Sequence, residues 1–299
     1  MKVLIIGEKG QLAWELANSL KLGSEVVTTN SSVCDIRVKD QVQAVVKRIN
    51  PDLVINASAY NDVDKAETDR ENALAINGDG PGWLSQACQN RFIPIIHYSS
   101  DFVYDGTKLT PYDEEDIPNP VNYYGQTKLL GESAVLNESC AAMIFRLAWL
   151  YSSRGSNFVR KILYKAKTCE TVRVVDDQVG NPTWARLVAE ITRSIILQPK
   201  PSREDLYEWF QSKRGIFNLS TEGCASRFDW ANYILRKYQE RTGLKSQHVS
   251  AAKSDDFVSP ARRPKFTVLS KEKLKKSFGV SIPTWKSSFD EFFENESRV

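Results

Sequence analysis

The sequence predicts an α/β chain: a doubly wound parallel sheet with a smaller lobe interleaved toward the C-terminal end. Three observations carry this expectation. Short apolar runs alternate with longer segments of helical period, a glycine turn closes the first run and opens the first helix, and no long linker divides the 299 residues.

The apolar runs are "VLIIG" (3–7), "EVVTTN" (25–30), "DLVINAS" (52–58), "PIIHYSS" (94–100) and "AAMIFRLAWLY" (141–151). Runs this short, rich in valine and isoleucine, suit strands buried on both faces of a parallel sheet. The segments between them are long enough for crossover helices, expected near 11–22, 39–49, 71–90 and 124–138 with right-handed connections. The third helix is expected to be broken or to begin late. "NGDGPGW" (77–83) places three glycines and a proline within it, at about 1 kcal/mol for each interior Gly and about 3 for an interior Pro.

Beyond residue 151 the alternation is less regular. A helix near 156–168 precedes the strand "VRVVDD" (172–177), the turn "GNPTW", a helix near 185–197 and the strand "GIFNLS" (215–220). A helix at 227–241, the strand "QHVSAA" (247–252), the loop "SPARRPKF" (259–266) and C-terminal helices follow. The polar, proline-bearing stretch 198–214 reads as a surface excursion. On this pattern residues 1–150 form the core, rejoined by 184–220, while 151–183 and 221–299 mainly form the lobe.

Composition narrows the function. A net charge of +3 with acids and bases interleaved gives no nucleic-acid footprint, and "KEKLKK" (271–276) reads as the wet face of a helix. No apolar stretch approaches the ~20 residues needed to span a bilayer, and "MKVLIIG" lacks the features of a signal peptide. Five scattered cysteines without a C-x-x-C, and two histidines, argue against a disulfide framework or a metal site. Structural thiols in a reducing cytoplasm are expected.

"GEKGQLA" (7–13) leaves the first strand and opens the first helix. Small residues at Gly7, Gly10 and Ala13 permit a tight turn and close backbone approach to a pyrophosphate, whose charge would meet the helix N-terminus. The second strand ends "TTNSS" with neither an acid for the ribose hydroxyls nor an arginine for a 2′-phosphate. Asn30 and Ser31 could serve either, so NADPH and NADH both remain open. Asp35 in "CDIR" stands in place to approach the adenine, and "NASAY" (56–60) closes the third strand with small residues suited to a nucleotide lying across the strand ends.

"YYGQTK" (123–128) supplies the chemistry. Tyr124 and Lys128, four apart, share a helix face, whereas Tyr123 pairs with Thr127 and is expected to pack or line a cleft. A phenol of pKa ~10 brought to ~7 needs roughly 4 kcal/mol, which one ammonium about 4 Å away supplies at an effective dielectric near 20. Ser99 and Ser100 end the fourth strand, where ligands of doubly wound sheets bind, and pleat alternation lets only one face a substrate.

In this order, G-x-x-G-x-x-A, "YSSD" and "YGQTK" resemble the extended short-chain dehydrogenases/reductases, which have the Rossmann fold. The finer resemblance is to the dTDP-4-dehydrorhamnose reductase family. It is carried by "GEKGQL", "VINASAYNDVDKAE" (54–67), "HYSSDFVYDG", "YYGQTKLLGE", "FRLAWLY", "VVDDQVGNPTW" (174–184) and "SPARRPKFTVLS" (259–270), over nearly the whole chain. It implies an NAD(P)H-dependent nucleotide-sugar reductase acting on the C4 keto group of dTDP-4-dehydro-L-rhamnose, with a dinucleotide-binding core and a substrate lobe. By the same resemblance Ser100 would bind the keto oxygen, Tyr124 would be the acid, and Lys128 its activator and ribose anchor. Asp101 and Trp149 would line the sugar site, with Arg262 and Arg263 suited to the diphosphate. Gly7, Gly10, Gln11, Leu12, Asp35, Ile36, Ala57, Ser58 and Ala59 would hold the dinucleotide, and Asn77 matches an Asn before the third helix. A homodimer stays open.

Serine replaces the family's frequent threonine at position 100, which keeps the hydroxyl. "CASRFDWA" (224–231) lacks the aromatic pattern expected in the substrate lobe. Two other readings remain: a regulatory NADP-binding subunit, resembling the β subunit of methionine adenosyltransferase, and a reductase of another 4-keto nucleotide sugar.

Overall fold

The computed structural model describes residues 1–138, 140–198, 202–242 and 248–296. The apolar runs fold as parallel strands β1 (Lys2–Ile6), β2 (Glu25–Thr29), β3 (Leu53–Asn56), β4 (Ile95–Ser100) and β5 (Ala142–Leu147), and the strand Gly215–Asn218 pairs with β5. From that edge the order is Gly215–Asn218, β5, β4, β3, β1, β2. The winding therefore reverses between β1 and β3, and the crevice beyond their carboxyl ends is where doubly wound sheets take ligands. The register sets Ile6 opposite Asn56, Asn56 opposite His97, and Ser100 opposite Leu147. Residues 7–13, 57–59 and 100–103 thus emerge along one edge.

Helices α1 (Gln11–Leu20) and α2 (Lys39–Ile49) cover opposite faces of the sheet, α1 in the core with Val3 and Ile5, α2 in the core with Leu4 and Ile6. The third expected helix is neither broken nor late. It starts at Arg70 and runs as α3 (Arg70–Leu74), a π turn (Ala75–Asp79) and α4 (Gly80–Gln89). The Gly80 N–H reaches back five residues to the Ala75 carbonyl. Pro81 then falls in the first turn of α4, where its missing N–H costs no intrahelical bond. The glycines that looked like breakers permit close packing instead.

Helix α5 (Tyr123–Asn137) lies against this π turn, and a β-carbon on its Gly131 would overlap the Asn77 carbonyl oxygen, which is backbone and cannot swing aside. Gly131→Ala is therefore expected to destabilise the fold by about 1–3 kcal/mol through overpacking, read as a lowered urea midpoint with unchanged slope.

Three further expectations are corrected. The run 141–151 is not one strand: β5 stops at Leu147, Trp149 takes a positive φ of 43°, and Leu150–Tyr151 pairs separately with Thr183–Trp184. Within the supposed surface excursion, Arg203–Ser212 is a helix whose Leu206 and Phe210, four apart, are buried in the sheet-side core. Ser202 caps it, accepting from the Asp205 N–H at 3.1 Å. In "KEKLKK" the helix Glu272–Phe278 buries Leu274, and Lys271 is itself buried, with Nζ on the Leu269 carbonyl at 2.8 Å and 3.4 Å from Glu222. Residues 199–201 and Gln247, included in the stretches read above, lie outside the described residues.

A second core gathers Trp149, Tyr151, Trp184, Trp230, Trp285, Phe289 and Phe292 with the helices Phe158–Thr168, Arg227–Thr242 and Trp285–Glu296. Leu274, Phe278 and Ile282 instead join the sheet-side core, as do Ala185, Val188, Phe217 and Leu219. Among the described residues no helix is long and apolar enough to cross a membrane, and no group of three His, Cys, Asp or Glu could hold a metal ion.

Candidate active site

The first turn of α5 stands over the end of β4. Asn122 caps it by accepting from the Gly125 N–H at 2.8 Å, while its amide donates to the Arg262 carbonyl at 2.8 Å, binding the helix start to the 259–266 loop. Tyr124 and Lys128 face inward and are both buried. Tyr123 is set apart: its N–H donates to Glu67 at 2.8 Å, and the Arg70 guanidinium covers its ring at 4.7 Å.

The Tyr124 phenol is coupled to the neighbouring Ser100 hydroxyl, which acts to lower its pKa. Ser100 Oγ donates to Asp101 Oδ1 at 3.0 Å and accepts from the Phe102 N–H at 3.2 Å. A hydroxyl has one proton to give, and that of Ser100 is committed to Asp101. Ser99 turns the other way, and its buried hydroxyl has no hydrogen-bond partner among the described residues. Phe102 meets the Tyr124 ring edge-on at 5.8 Å.

The acidity expected of Tyr124 is not what the structure holds. Burial pushes the phenol up to about 12; the Ser100 hydroxyl opposes the rise and the Asp101 charge adds to it. Lys128 sends Nζ to the Tyr98 carbonyl at 2.7 Å, and burial lowers its own pKa to about 8. Helical spacing put both on one buried face, but the Lys128 charge is not among the influences on the phenol, and desolvation, which spacing does not reveal, sets the direction of its shift. Asp101 is likewise raised to about 6 by burial, against the influence of the Thr267 hydroxyl, the hydrogen bond from Ser100 and the charge of Arg227.

Behind these groups lies a buried pair. Arg146 of β5 grips Glu132 of α5 through two bonds of 2.9 and 2.6 Å and donates to the Tyr104 hydroxyl at 2.6 Å. It fixes α5 to the sheet one helical turn beyond Lys128.

At the sheet's switch point the glycine turn fits a dinucleotide. Gly7 has a φ of +103°, and a β-carbon there would lie 2.8 Å from the Ser58 N and 2.9 Å from the Ala57 carbonyl. Gly10 caps α1 without a side-chain bond, so the N–H groups of that first turn, including Leu12, remain open to an anion. Ala57, Ser58 and Ala59 run past it, Ser58 held by its N–H and hydroxyl on Asn56 Oδ1 at 3.1 and 2.6 Å. Lys128, with one hydrogen bond for three donors, has capacity for ribose hydroxyls.

Other expected contacts are otherwise engaged. Gln11 accepts from Ser152 Oγ at 3.2 Å and Asn157 Nδ2 at 3.5 Å, two lobe residues the sequence did not flag. The Asp35 carboxylate is clamped by Arg37 at 2.7 Å, and Ile36 is buried in the core against Gly80. Asn77 binds the backbone N and O of Tyr60 at 2.8 and 3.0 Å and the Thr127 hydroxyl at 3.2 Å. Arg263 does not point to open solvent as a diphosphate clamp: it closes on Asp64 at 2.7 and 3.1 Å. Arg262 is exposed.

Arg227 was missed. Its guanidinium stacks 3.6 Å over the Trp149 ring and 4.9 Å from Phe158, with the Asp101 charge nearby. One signal was available: an arginine opening a helix opposes the helix dipole, so its position asks for another partner.

Comparison with known proteins agrees along the full length. The chain is 37% identical over 289 residues to a dTDP-4-dehydrorhamnose reductase of Burkholderia thailandensis, covering 96% of both. A crystal structure of a dTDP-4-dehydrorhamnose reductase ortholog from Clostridium acetobutylicum superimposes with a TM-score of 0.90 at 33% identity, covering 99% of this chain and all of that one. That of the Bacillus anthracis dTDP-4-dehydrorhamnose reductase, in complex with NADP, gives 0.88 at 29% identity, with 98% and 99% covered. The family model for the RmlD substrate binding domain matches residues 1–298, and the chain belongs to that family.

Proposed function

We propose that this protein reduces the C4 keto group of dTDP-4-dehydro-L-rhamnose to dTDP-L-rhamnose with NADPH or NADH. The observation that carries the reading is the Tyr124–Ser100 hydroxyl pair at the carboxyl edge of the sheet, with a buried lysine one turn behind, in a chain related throughout to named reductases of this substrate.

When bound, the nicotinamide supplies the hydride. Gly7, Gly10, Leu12 and the 57–59 segment would hold the dinucleotide, with Lys128 donating to its ribose. Tyr124, held protonated by its raised pKa, donates its proton to the carbonyl oxygen as the alkoxide develops, a transfer that runs downhill because an alkoxide is more basic than a phenolate. Ser100 donates a second hydrogen bond to that oxygen when its proton turns from Asp101. Asp101, Trp149 and Arg227 would border the sugar, and the exposed Arg262 would serve the diphosphate.

The test is oxidation of NADPH and of NADH by the purified protein with dTDP-4-keto-6-deoxy-L-mannose. Turnover dependent on the keto-sugar is expected. No turnover with either cofactor would sink the proposal and favour a regulatory role; preference for a UDP-linked keto-sugar would move the assignment to another nucleotide-sugar reductase.

A further inference from the structure

In doubly wound folds an acid near the end of the second strand receives the adenosine ribose hydroxyl, whereas an arginine there takes a 2′-phosphate. Strand β2 ends Thr28-Thr29 with Asn30 following, and no acid stands at that end of the strand, yet the structure puts a carboxylate at that spot from the opposite side. Glu8, inside the glycine turn, donates its N–H to the Thr29 carbonyl at 2.9 Å. One of its carboxylate oxygens accepts from Thr28 Oγ1 at 3.0 Å and the other from Asn30 Nδ2 at 2.8 Å. Each oxygen keeps a lone pair free, and the residue is exposed at the mouth of the crevice.

Asn30 and Arg37, which could answer a 2′-phosphate there, are engaged elsewhere, while Ser31 is exposed. The Asn30 carbonyl oxygen accepts from the Ser32 N–H at 3.0 Å and hydroxyl at 2.5 Å, so this side chain is used at both ends. Arg37 is closed on Asp35 and reaches Asn72 at 2.7 Å. Lys9, next to Glu8, is exposed, and its charge favours the ionised form of the Glu8 carboxyl.

We propose that Glu8 selects the cofactor: its carboxylate accepts the ribose 2′-hydroxyl of NADH and repels the 2′-phosphate of NADPH, so that the protein prefers NADH. This rests on the reading that the glycine turn holds a nicotinamide dinucleotide. A phosphate monoester carries between one and two negative charges near neutrality, and facing a carboxylate at short range through partly exposed surroundings it loses about tenfold in affinity.

The experiment measures equilibrium dissociation constants for NADH and NADPH by cofactor fluorescence, and for 5′-AMP and adenosine 2′,5′-bisphosphate by competition. It uses the full chain and its Glu8→Gln variant. Wild type should bind NADH about tenfold more tightly than NADPH and rank the two adenosine nucleotides the same way. In Glu8→Gln the difference should shrink to about threefold or less, chiefly because the 2′-phosphorylated ligands bind more tightly. Equal affinities in wild type, or a ratio untouched by the substitution, would overturn the proposal; the wild-type comparison decides even if the variant does not fold. If neither dinucleotide binds wild type, the reading of the groove itself fails, an outcome distinct from tight binding without discrimination.

Discussion

Tyr124→Phe is expected to lower kcat by about 10²- to 10⁴-fold, the range a positioned general acid contributes. The substitution removes one oxygen from a buried ring whose edge-on contact with Phe102 stays in place. Its cost to stability should not exceed that of one hydrogen bond, about 0.5–1.5 kcal/mol. Cofactor affinity should be nearly unchanged, since Lys128 keeps its hold on the Tyr98 carbonyl and its spare donors. Steady-state kinetics beside a cofactor binding isotherm separates the two effects. Activity near wild type would remove Tyr124 as the proton donor and, with it, the proposed mechanism.

The second large effect is expected behind the site. Arg146→Met leaves the Glu132 carboxylate enclosed without its partner and removes a donor from the Tyr104 hydroxyl, which keeps only its bond to the Asp113 carbonyl. Breaking a buried pair on one side costs about 3–5 kcal/mol, because the surviving charge keeps its desolvation penalty. Replacing both members with apolar groups of similar volume removes that penalty, so Arg146→Met combined with Glu132→Leu should recover most of the loss. Denaturant unfolding of the two single variants and the double checks this. Because the pair ties α5 to β5, kcat should fall in the single variant by more than unfolding explains and return in part in the double. A double variant no more stable than Arg146→Met would mean that the pair is not what holds the helix.

The sheet was readable because parallel strands covered on both faces leave uninterrupted Val/Ile runs, and because such strands share a carboxyl edge. That is why Ser100, Gly7 and the 57–59 segment could be expected on one side. Packing against partners distant in sequence was not readable. Beside the π turn at 75–79, Gly78 and Gly82 become contact points for α5 and Gly80 packs on Ile36 rather than breaking the helix, and nothing local in "NGDGPGW" says so. The helix Arg203–Ser212 hid behind prolines and charges, although Ser202, Asp205 and the Leu206/Phe210 pair were present to be seen. Trp149 broke a run that looked continuous, its positive φ being imposed by the lobe it packs into. In the site, helical spacing aligned Tyr124 with Lys128 but gave the wrong direction for the phenol, since the acidity of a group depends on how much water surrounds it. Arg263 looked like a ligand-binding cation because Asp64, its partner, lies 199 positions away.

The bonds from Asn122 to the Arg262 carbonyl and from Arg263 to Asp64 join early parts of the chain to a loop near its end. On the ribosome the first half of the polypeptide emerges and can pair its strands well before that loop is synthesised. The turn that presents Tyr124 stays without one of its two anchors until then. On the proposed reading the aim of Tyr124 is thereby tied to synthesis of that loop, and a polypeptide ended before it keeps the sheet but holds the turn with one anchor fewer.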